Sequence, residues 1–286
     1  MRYTFHLLLV PVLAAAGLLS YGLVTAPDVA HFASANPNTT MLIEARLAEA
    51  AEKGRPFTLS WTWVPLERIS PHLQRAVIVA EDWSFYQHHG FDWEGLQEAF
   101  THNWEQGKLR RGGSTITQQL AKNLYLSSEK TLMRKAREAL IALEIEWHLP
   151  KKRILELYLN VAEWGDGVFG AEAAARHHFG KSADELTEDE AALLAALLPS
   201  PRRHDPIQHP SLLVKRQEEI LYWVRHKNGN SQPTAASPKP LTDVTDSPLS
   251  TVEESPEPPS PPEGAPAPNP LTDATDSPLN TVAGSP

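Results

Sequence analysis

Two adjacent acids, Glu81 and Asp82, follow an apolar run and precede a segment rich in aromatic and histidine residues, AEDWSFYQHHG. Ser70 and Pro71 have the residue types of an N-cap and a first helical position, so a helix that begins there carries both acids to its last turn. A carboxylate at that end opposes the helix dipole, and folding does not require it. One acid, packed against apolar and aromatic neighbours, could have a raised pKa and act as a general base. The alternative is two solvated acids that close a helix.

A second group of polar side chains follows the double glycine at residues 112–113. Residues 115–124 have the apolar periodicity of a helix, and Ser114 before them is a good N-cap residue. The polar side of this helix carries a hydroxyl, an amide and an ammonium group at intervals of one turn, in Ser114, Gln118 and Lys122. These donors could hold a phosphate or a sugar, or they could form an ordinary solvated face.

A third row lies on the longest periodic segment, Thr131 to Leu149. Lys130, Arg134 and Glu138 recur at intervals of four residues. The row predicts either a basic site for an anionic group with an acid beside it, or surface ion pairs worth a few tenths of a kcal/mol. The apolar stripe of the same segment comprises Met133, Ala136, Leu140, Leu143 and Trp147.

The elements that position these residues are almost all helices. Three residues, Asn38, Thr39 and Thr40, are candidate caps for a helix that ends near Lys53. Caps and apolar spacing predict further helices over residues 151–161 and 171–179, after a Thr187–Glu190 capping box, and over residues 211–226. Residues 57–64 predict a short strand or extended segment. The glycine-rich residues 163–170 predict a loop that approaches a ligand, or a tight turn. Strands and helices do not alternate, so the predicted class is mainly α.

The composition limits the possible classes of protein. The chain has 286 residues and a formal charge of −9, which suggests one or two domains. It has no cysteine, and this excludes disulfides and thiolate metal sites. From residue 231 onward there are eight acids and one base, so the rest of the chain is close to neutral and its bases are clustered.

The N-terminal residues form a predicted membrane anchor. Residues 7–24 are apolar apart from mild interruptions, and about 20 helical residues span the roughly 30 Å of a bilayer core. A cleaved signal peptide is the alternative, but its apolar core is usually shorter, roughly 7–15 residues. Pro27 would also be an awkward residue after a cleavage site. Arg2 favours a cytoplasmic N-terminus, with the rest of the chain outside.

The C-terminal residues predict a disordered tail. Fourteen of the 25 prolines follow residue 232, and no aromatic residue follows Trp223. Such a composition buries too little apolar surface to fold. The segment PLTDVTDSPLSTV, which begins at Pro240, recurs with two substitutions from Pro270.

Five blocks of this sequence, in order and correctly spaced, resemble the peptidoglycan glycosyltransferases of family 51. They are most similar to the monofunctional biosynthetic transglycosylases of Gram-negative bacteria. The blocks include AEDWSFYQHHGFDWEG and RGGSTITQQLAKNLYL, and no penicillin-binding motif follows them. They occupy residues 80–95, 111–126, 134–146, 151–181 and 185–201.

The resemblance implies a lysozyme-like α-helical domain that polymerises lipid II at the outer face of the bacterial inner membrane. The glycan would pass from undecaprenyl pyrophosphate to the 4-hydroxyl of lipid II, with inversion. The implied organisation is an anchor (1–27), a juxtamembrane helix and extended segment (28–69), a catalytic domain (70–228) and the tail (229–286). The implied partners are lipid II, the nascent glycan, the inner membrane and other cell-wall synthesis or division proteins, but no nucleic acid.

The resemblance also implies roles for individual residues. Glu81 corresponds to the catalytic base and Glu138 to a second catalytic acid near the leaving pyrophosphate. Many members have arginine at the positions of Ser84 and Glu98, so this sequence departs from the family there. A divalent cation, Mg²⁺ or Mn²⁺, could assist the leaving group, and no organic cofactor is expected. The implied substrate-binding residues are Asp82, Ser114, Gln118, Gln119, Lys122, Lys130 and Arg134.

Two other functions compete with this one. A lysozyme-like lytic enzyme also uses two acids in a helical domain, but cleavage of a neutral glycan needs no site for pyrophosphate. A membrane scaffold without activity, which recruits synthases through its tail, is compatible with the departures at Ser84 and Glu98. The acids Glu81 and Glu138 argue against a scaffold.

Overall fold

The computed structural model describes residues 27–95, 97, 113–127, 129–203 and 210–226, together with Gly17. These residues belong to the larger of the two units into which the chain divides, residues 1–246. The predicted tail lies outside the described residues, and so does the predicted anchor apart from Gly17 and Pro27. Within the described part of the chain, no helix combines the length and apolar character needed to cross a membrane.

Eight helices of the described residues form the fold, and the mainly α prediction is confirmed. They are joined by three short 3₁₀ turns, at Ala30–Ala33, Leu66–Arg68 and Ala183–Glu185. The helices are α1 (Met41–Glu52), α2 (Pro71–Glu81), α3 (Ile116–Tyr125), α4 (Leu132–His148), α5 (Lys151–Val161), α6 (Ala171–Phe179), α7 (Glu188–Leu197) and α8 (Pro210–His226).

The helix starts follow local capping chemistry. The Thr40 hydroxyl accepts a hydrogen bond from the Ile43 backbone N–H and starts α1. Ser70 caps α2, whose first residue is Pro71. Thr187 and Glu190 form the predicted capping box of α7. These starts agree with the sequence because a cap needs only residues within one helical turn.

The start of α3 corrects the sequence prediction by one residue. The N-cap is Thr115 rather than Ser114, and Gln118 closes a capping box with it. The apolar side was predicted correctly, since Ile116, Leu120 and Leu124 are buried. However, Gln118 is also buried, because α3 packs against α1, α4 and α5 and retains little solvated surface.

Residues 163–170 form a hairpin, where the sequence predicted only a loop or tight turn. Strand β2 (Glu163–Gly165) pairs antiparallel with β3 (Val168–Phe169). Strand β1 (Ser60–Trp61) then pairs parallel with β3, giving the order β1-β3-β2. Gly167 has φ +76°, and a Cβ there would lie 2.3 Å from the Thr58 carbonyl oxygen. The glycine therefore permits both the turn and the close approach of the segment before β1.

The buried face of α4 differs from the stripe that the sequence marks as apolar. Met133, Leu143 and Trp147 are exposed, Trp147 by 85%. The face that packs inward carries Glu138, Ile141, Ala142 and Ile145. Hydrophobic periodicity does not identify this face, because one of its positions is the acid Glu138. Glu138 can be buried only with partners for its charge, and a periodicity of apolar residues carries no information about such partners.

The core surrounds α5, which is buried along nearly all of its length. Helix α3 packs on α5 from one side, and α7 packs on both α2 and α8. The C-terminal end of α2 therefore lies within reach of α3, α5 and α8. This arrangement places Glu81, the last residue of α2, among side chains from three other helices.

Candidate active site

Glu81 is a largely buried carboxylate with one protein donor on each oxygen. Its side chain is 11% exposed. The Gln119 side-chain amide donates to Oε2 over 2.8 Å, and the Arg216 guanidinium Nη2 donates to Oε1 over 3.3 Å. Burial raises the pKa of Glu81, although the charges of Arg216 and Lys122 and the Gln119 hydrogen bond oppose that shift. A carboxylate in such surroundings has the properties expected of a general base.

The orientation of Gln119 is fixed from its other side. The hydroxyl of Tyr158, a fully buried residue of α5, donates to the Gln119 Oε1 atom over 3.0 Å. Burial and the neighbouring acids Glu81 and Asp82 raise the pKa of Tyr158 well above its usual value, so the phenol keeps its proton. Because Oε1 accepts from the phenol, the amide group of Gln119 must turn its N–H donors toward Glu81.

Asp82 contacts other partners than Glu81 does, and it holds the start of α3. Its Oδ2 accepts a hydrogen bond from the Ile116 backbone N–H over 2.9 Å. Its Oδ1 lies 2.8 Å from the His88 ring Nε2. A carboxylate at a helix N-terminus interacts favourably with the unpaired N–H groups and the dipole of that helix. The structure therefore gives Asp82 a positioning contact, and its expected contact with substrate stays a prediction.

A basic cluster lies on α4 around the buried acid Glu138, which is 2% exposed. Arg134 Nη1 donates to Glu138 Oε2 over 2.7 Å, and Lys135 Nζ donates to Oε1. Lys135 also donates to the Ser114 hydroxyl over 3.0 Å. Two cations on one carboxylate leave a net positive charge, which suits an anionic ligand.

Lys122 links the two acids electrostatically. It is an exposed residue of α3, and partial desolvation lowers its pKa, with a contribution from repulsion by Arg134 and Lys135. Glu138 and Glu81 both oppose this shift, so the ammonium group is close enough to interact with each of them. Lys122 therefore interacts with both the base candidate and the acid of the basic cluster.

Three residues of the expected site differ from the sequence interpretation in their placement. Gln118 is buried and its Oε1 accepts from the Thr115 N–H, so its amide serves the capping box. Lys130 precedes α4, because the N-cap Thr131 has extended backbone angles, and the predicted row of three charges is broken there. Ser114 is exposed and contacts Lys135. Contacts of these residues with substrate stay predictions.

Sequence reasoning missed Arg216, Tyr158 and Lys135. Arg216 is separated from Glu81 by 135 residues, and no local pattern marks it. Tyr158 lies between leucines in the sequence, and a tyrosine in such a position is usually interpreted as a core residue. Lys135 could have been found, because it lies three residues before Glu138 and a helix brings such pairs together.

Among the described residues, the carboxylates of the candidate site do not form a cluster of three or more possible metal ligands. Glu81, Asp82 and Glu138 already accept hydrogen bonds from protein donors. No group of three or more histidine or acidic residues in the described part of the chain could hold a metal ion. Mg²⁺ and Mn²⁺ prefer several free oxygen ligands. The expected divalent cation stays a prediction.

One departure from the family pattern has a clear local role. The Ser84 hydroxyl donates to the Asp92 carboxylate over 2.7 Å, and Asp92 also accepts from the Gly95 backbone N–H. Ser84 therefore ties together the segment after α2. Glu98 and the double-glycine residue Gly112 lie outside the described residues.

Fold and site together define a mainly helical protein with a buried carboxylate beside a basic cluster, the layout of an acid–base enzyme for an anionic substrate. The model of the family described as Transglycosylase matches residues 51–225. The chain therefore belongs to the transglycosylase family, the peptidoglycan glycosyltransferases of family 51. These proteins are glycosyltransferase enzymes.

Relatives from several bacteria have the same printed name, "Biosynthetic peptidoglycan transglycosylase". The protein of Nitrosospira multiformis is 50% identical over 186 residues, which cover 65% of this chain and 81% of the relative. That of Dechloromonas aromatica is 54% identical over 186 residues, 65% of this chain and 80% of the relative. That of a Janthinobacterium strain is 43% identical over 220 residues, 77% of this chain and 94% of the relative.

Proposed function

We propose that this chain polymerises peptidoglycan glycan strands from lipid II, with Glu81 as the general base. The observation that carries the proposal is the placement of a buried carboxylate, held by Gln119 and Arg216, next to a basic cluster that Lys122 links to it. The family supplies the reaction class, peptidoglycan glycosyl transfer. In this proposal, Glu81 accepts the proton and the basic cluster stabilises the leaving diphosphate.

In the proposed reaction, the 4-hydroxyl of lipid II attacks the anomeric carbon of the growing strand. The new C–O bond forms as the bond from that carbon to the diphosphate breaks, and the diphosphate leaves with the bonding electron pair. The hydroxyl proton passes to Glu81. Direct displacement at an α-linked carbon gives a β-linked strand, with inversion and without a covalent enzyme intermediate.

The basic cluster has the chemistry to stabilise the leaving group. Charge builds on the diphosphate oxygens as the bond breaks, and fixed cations aimed at such charge lower the barrier. Lys122, Arg134 and Lys135 are the candidates, and Glu138 holds the last two in place. This need for cations distinguishes the proposal from a lytic enzyme, whose glycan substrate has no diphosphate.

The proposal also assigns a location. An undecaprenyl chain remains in a membrane, so the domain would act at the outer face of the inner membrane, within the cell envelope. The predicted anchor over residues 1–27 would keep the site close to both substrate and product. Other cell-wall synthesis or division proteins would be partners there.

A polymerisation assay tests the function directly. Purified protein is given lipid II in detergent, and the products are separated by length and digested with a muramidase to identify β-linked glycan. Glu81→Gln should lose activity by a factor on the order of 10²–10⁴, the usual contribution of a general base. Wild-type protein that cleaves glycan strands but does not extend them would overturn the proposal, and so would a Glu81→Gln variant with the wild-type rate.

A further inference from the structure

Arg216 is a buried cation whose placement is not explained by folding. It lies on α8, is 8% exposed, and contacts Glu81 through Nη2. Its Nε is also buried and has no hydrogen-bond partner among the described residues. Helix α8 packs on α2 and α7, which brings this side chain to the end of α2.

The neighbours of Arg216 on α8 are apolar. Leu213 lies three residues before it and Ile220 four residues after it, and both are buried, as is Val224 one turn further on. The position therefore belongs to the stripe that packs into the core, where an arginine is almost never buried unless it is paired. A cation there requires desolvation, and the described partner that compensates for it is Glu81.

We propose that Arg216 is a positioning residue for Glu81, which holds the carboxylate in place and in its charged form until the proton of the acceptor hydroxyl arrives. This inference rests on the proposed role of Glu81 as the base. Gln119 and Arg216 each hold one oxygen of the Glu81 carboxylate. Gln119 donates a neutral hydrogen bond to Oε2, and Arg216 places a positively charged donor at Oε1. The two donors also limit rotation of the carboxylate.

Among the groups around Glu81, Arg216 does most to counteract the rise in pKa that burial causes. Burial raises the pKa of Glu81, and Asp82 at the end of α2 adds to that effect. Arg216 from α8 lowers the pKa more than any other group, ahead of Gln119 and Lys122 from α3. Tyr158 from α5 also interacts with Glu81, and it stays neutral because its own pKa is raised. Without Arg216 the carboxyl would be protonated over a wider range of pH and could not accept a proton.

The test compares pH profiles of lipid II polymerisation for wild type and three variants. Arg216→Met removes the charge and suits the apolar stripe between Leu213 and Ile220, while Arg216→Lys keeps a cation. The matched control is Arg225→Met on the same helix, because Arg225 is 55% exposed and pairs with Glu188 over 3.3 Å.

The ionised fraction of a carboxyl falls about tenfold for each pH unit below its pKa. The rate of Arg216→Met relative to wild type should therefore fall progressively as the pH is lowered through the pKa of Glu81 in the variant, which lies above that in wild type. Arg216→Lys should retain more of the wild-type profile, and Arg225→Met should match wild type. A loss in Arg216→Met that is the same at every pH would indicate a merely structural residue and would overturn the inference.

A second measurement needs no substrate. The side-chain carboxyl carbons of ¹³C-labelled glutamate are followed by NMR as a function of pH, and the Glu81 signal is identified by its loss in Glu81→Gln. The midpoint should move to higher pH in Arg216→Met and stay in place in Arg225→Met. If Arg216→Met does not fold, as judged by circular dichroism and melting, Arg216→Gln takes its place. An unmoved midpoint in a folded, uncharged variant would refute the inference.

These experiments separate failure of the inference from failure of the proposed function. An active Glu81→Gln variant would show that Glu81 is not the base, and the proposed function of this residue would fail whatever the role of Arg216. An inactive Glu81→Gln, together with a wild-type pH profile and midpoint in Arg216→Met, would leave the base in place and reject only the role of Arg216.

Discussion

The carboxylate of Asp82 accepts a hydrogen bond of 2.9 Å from the backbone N–H of Ile116, the first residue of α3. This contact joins the end of one site helix to the start of the next. Since Glu81 is the neighbour of Asp82, and Gln119 and Lys122 follow Ile116 on α3, the bond sets the distance between the carboxylate and its partners. The two adjacent acids thus have separate roles: Glu81 is the candidate base, and Asp82 positions the helix that carries the partners of Glu81.

Asp82→Ala should destabilise the protein because it removes the acceptor of a buried backbone N–H and the partner of His88. Hydrogen bonds to charged groups contribute roughly 1.5–3 kcal/mol. We expect the free energy of unfolding, measured by urea titration, to fall by about that amount. Asp82→Asn should lose less, because an amide oxygen can still accept from Ile116.

The control for this prediction is Asp189→Ala. The Asp189 side chain is 70% exposed, and a surface substitution of this kind usually changes stability by less than about 0.5 kcal/mol. Equal unfolding free energies for wild type and Asp82→Ala would contradict the anchoring role of Asp82.

Tyr158→Phe should reduce the rate of polymerisation with little effect on KM. The phenol fixes the orientation of the Gln119 amide, and without it the amide can turn its oxygen toward Glu81. A neutral hydrogen bond contributes about 0.5–1.5 kcal/mol, which corresponds to a loss in rate of about two- to tenfold. Tyr125→Phe is the matched control, because the Tyr125 hydroxyl contacts only the Asp28 carbonyl, over 3.4 Å, among the described residues. Full activity of Tyr158→Phe would show that Gln119 does not need this partner.

The stability of Glu81→Gln relative to wild type should increase as the pH rises through the window between the unfolded and the folded pKa of Glu81. Burial raises the pKa of Glu81 above its ordinary value of 4.5. Between the unfolded and the folded pKa, the folded state binds more protons, so wild-type stability falls as the pH rises through that window. The glutamine does not titrate and escapes this loss.

Thermal unfolding of wild type and Glu81→Gln at a series of pH values from about 4 upward measures this difference. Glu67→Gln, an exposed acid before α2, controls for the loss of one charge. A difference in melting temperature that shrinks with rising pH would mean that burial does not raise the pKa of the Glu81 carboxyl.

Local chemistry explains which parts of this fold could be predicted from the sequence. Ser70 with Pro71, and Thr187 with Glu190, specify helix starts through contacts within one turn. Glu81 could be selected because an acid at the end of an apolar helix has no role in folding.

The rest depends on contacts between distant segments. Gly167 permits a hairpin that is completed only by β1, more than 100 residues earlier. The inward face of α4 depends on two cations that neutralise Glu138. Arg216 reaches Glu81 only after α8 packs on α2. A single sequence, read by periodicity, contains no signal for such pairs.

Lys135→Ala should weaken the anion site without unfolding the protein. Lys135 pairs with Glu138 and with the Ser114 hydroxyl, but its side chain is 45% exposed, so the ion pair adds at most about 1 kcal/mol to stability. If its charge also contacts the leaving diphosphate, a loss of about 1.5 kcal/mol in the transition state corresponds to a rate roughly tenfold lower. Arg134→Ala should behave similarly, and Lys130→Ala should lose less because Lys130 precedes the helix.

Arg137→Ala is the control for this series, because Arg137 lies on α4 in an exposed position. Polymerisation rates and the affinity for a phosphoglycolipid inhibitor of the moenomycin type are measured for all four variants, with urea unfolding in parallel. Inhibitor binding should weaken in Lys135→Ala and Arg134→Ala and stay at the wild-type level in Arg137→Ala. If Lys135→Ala and Arg134→Ala bind the inhibitor as wild type does, the cluster on α4 consists of ion pairs that stabilise the helix and does not hold a diphosphate.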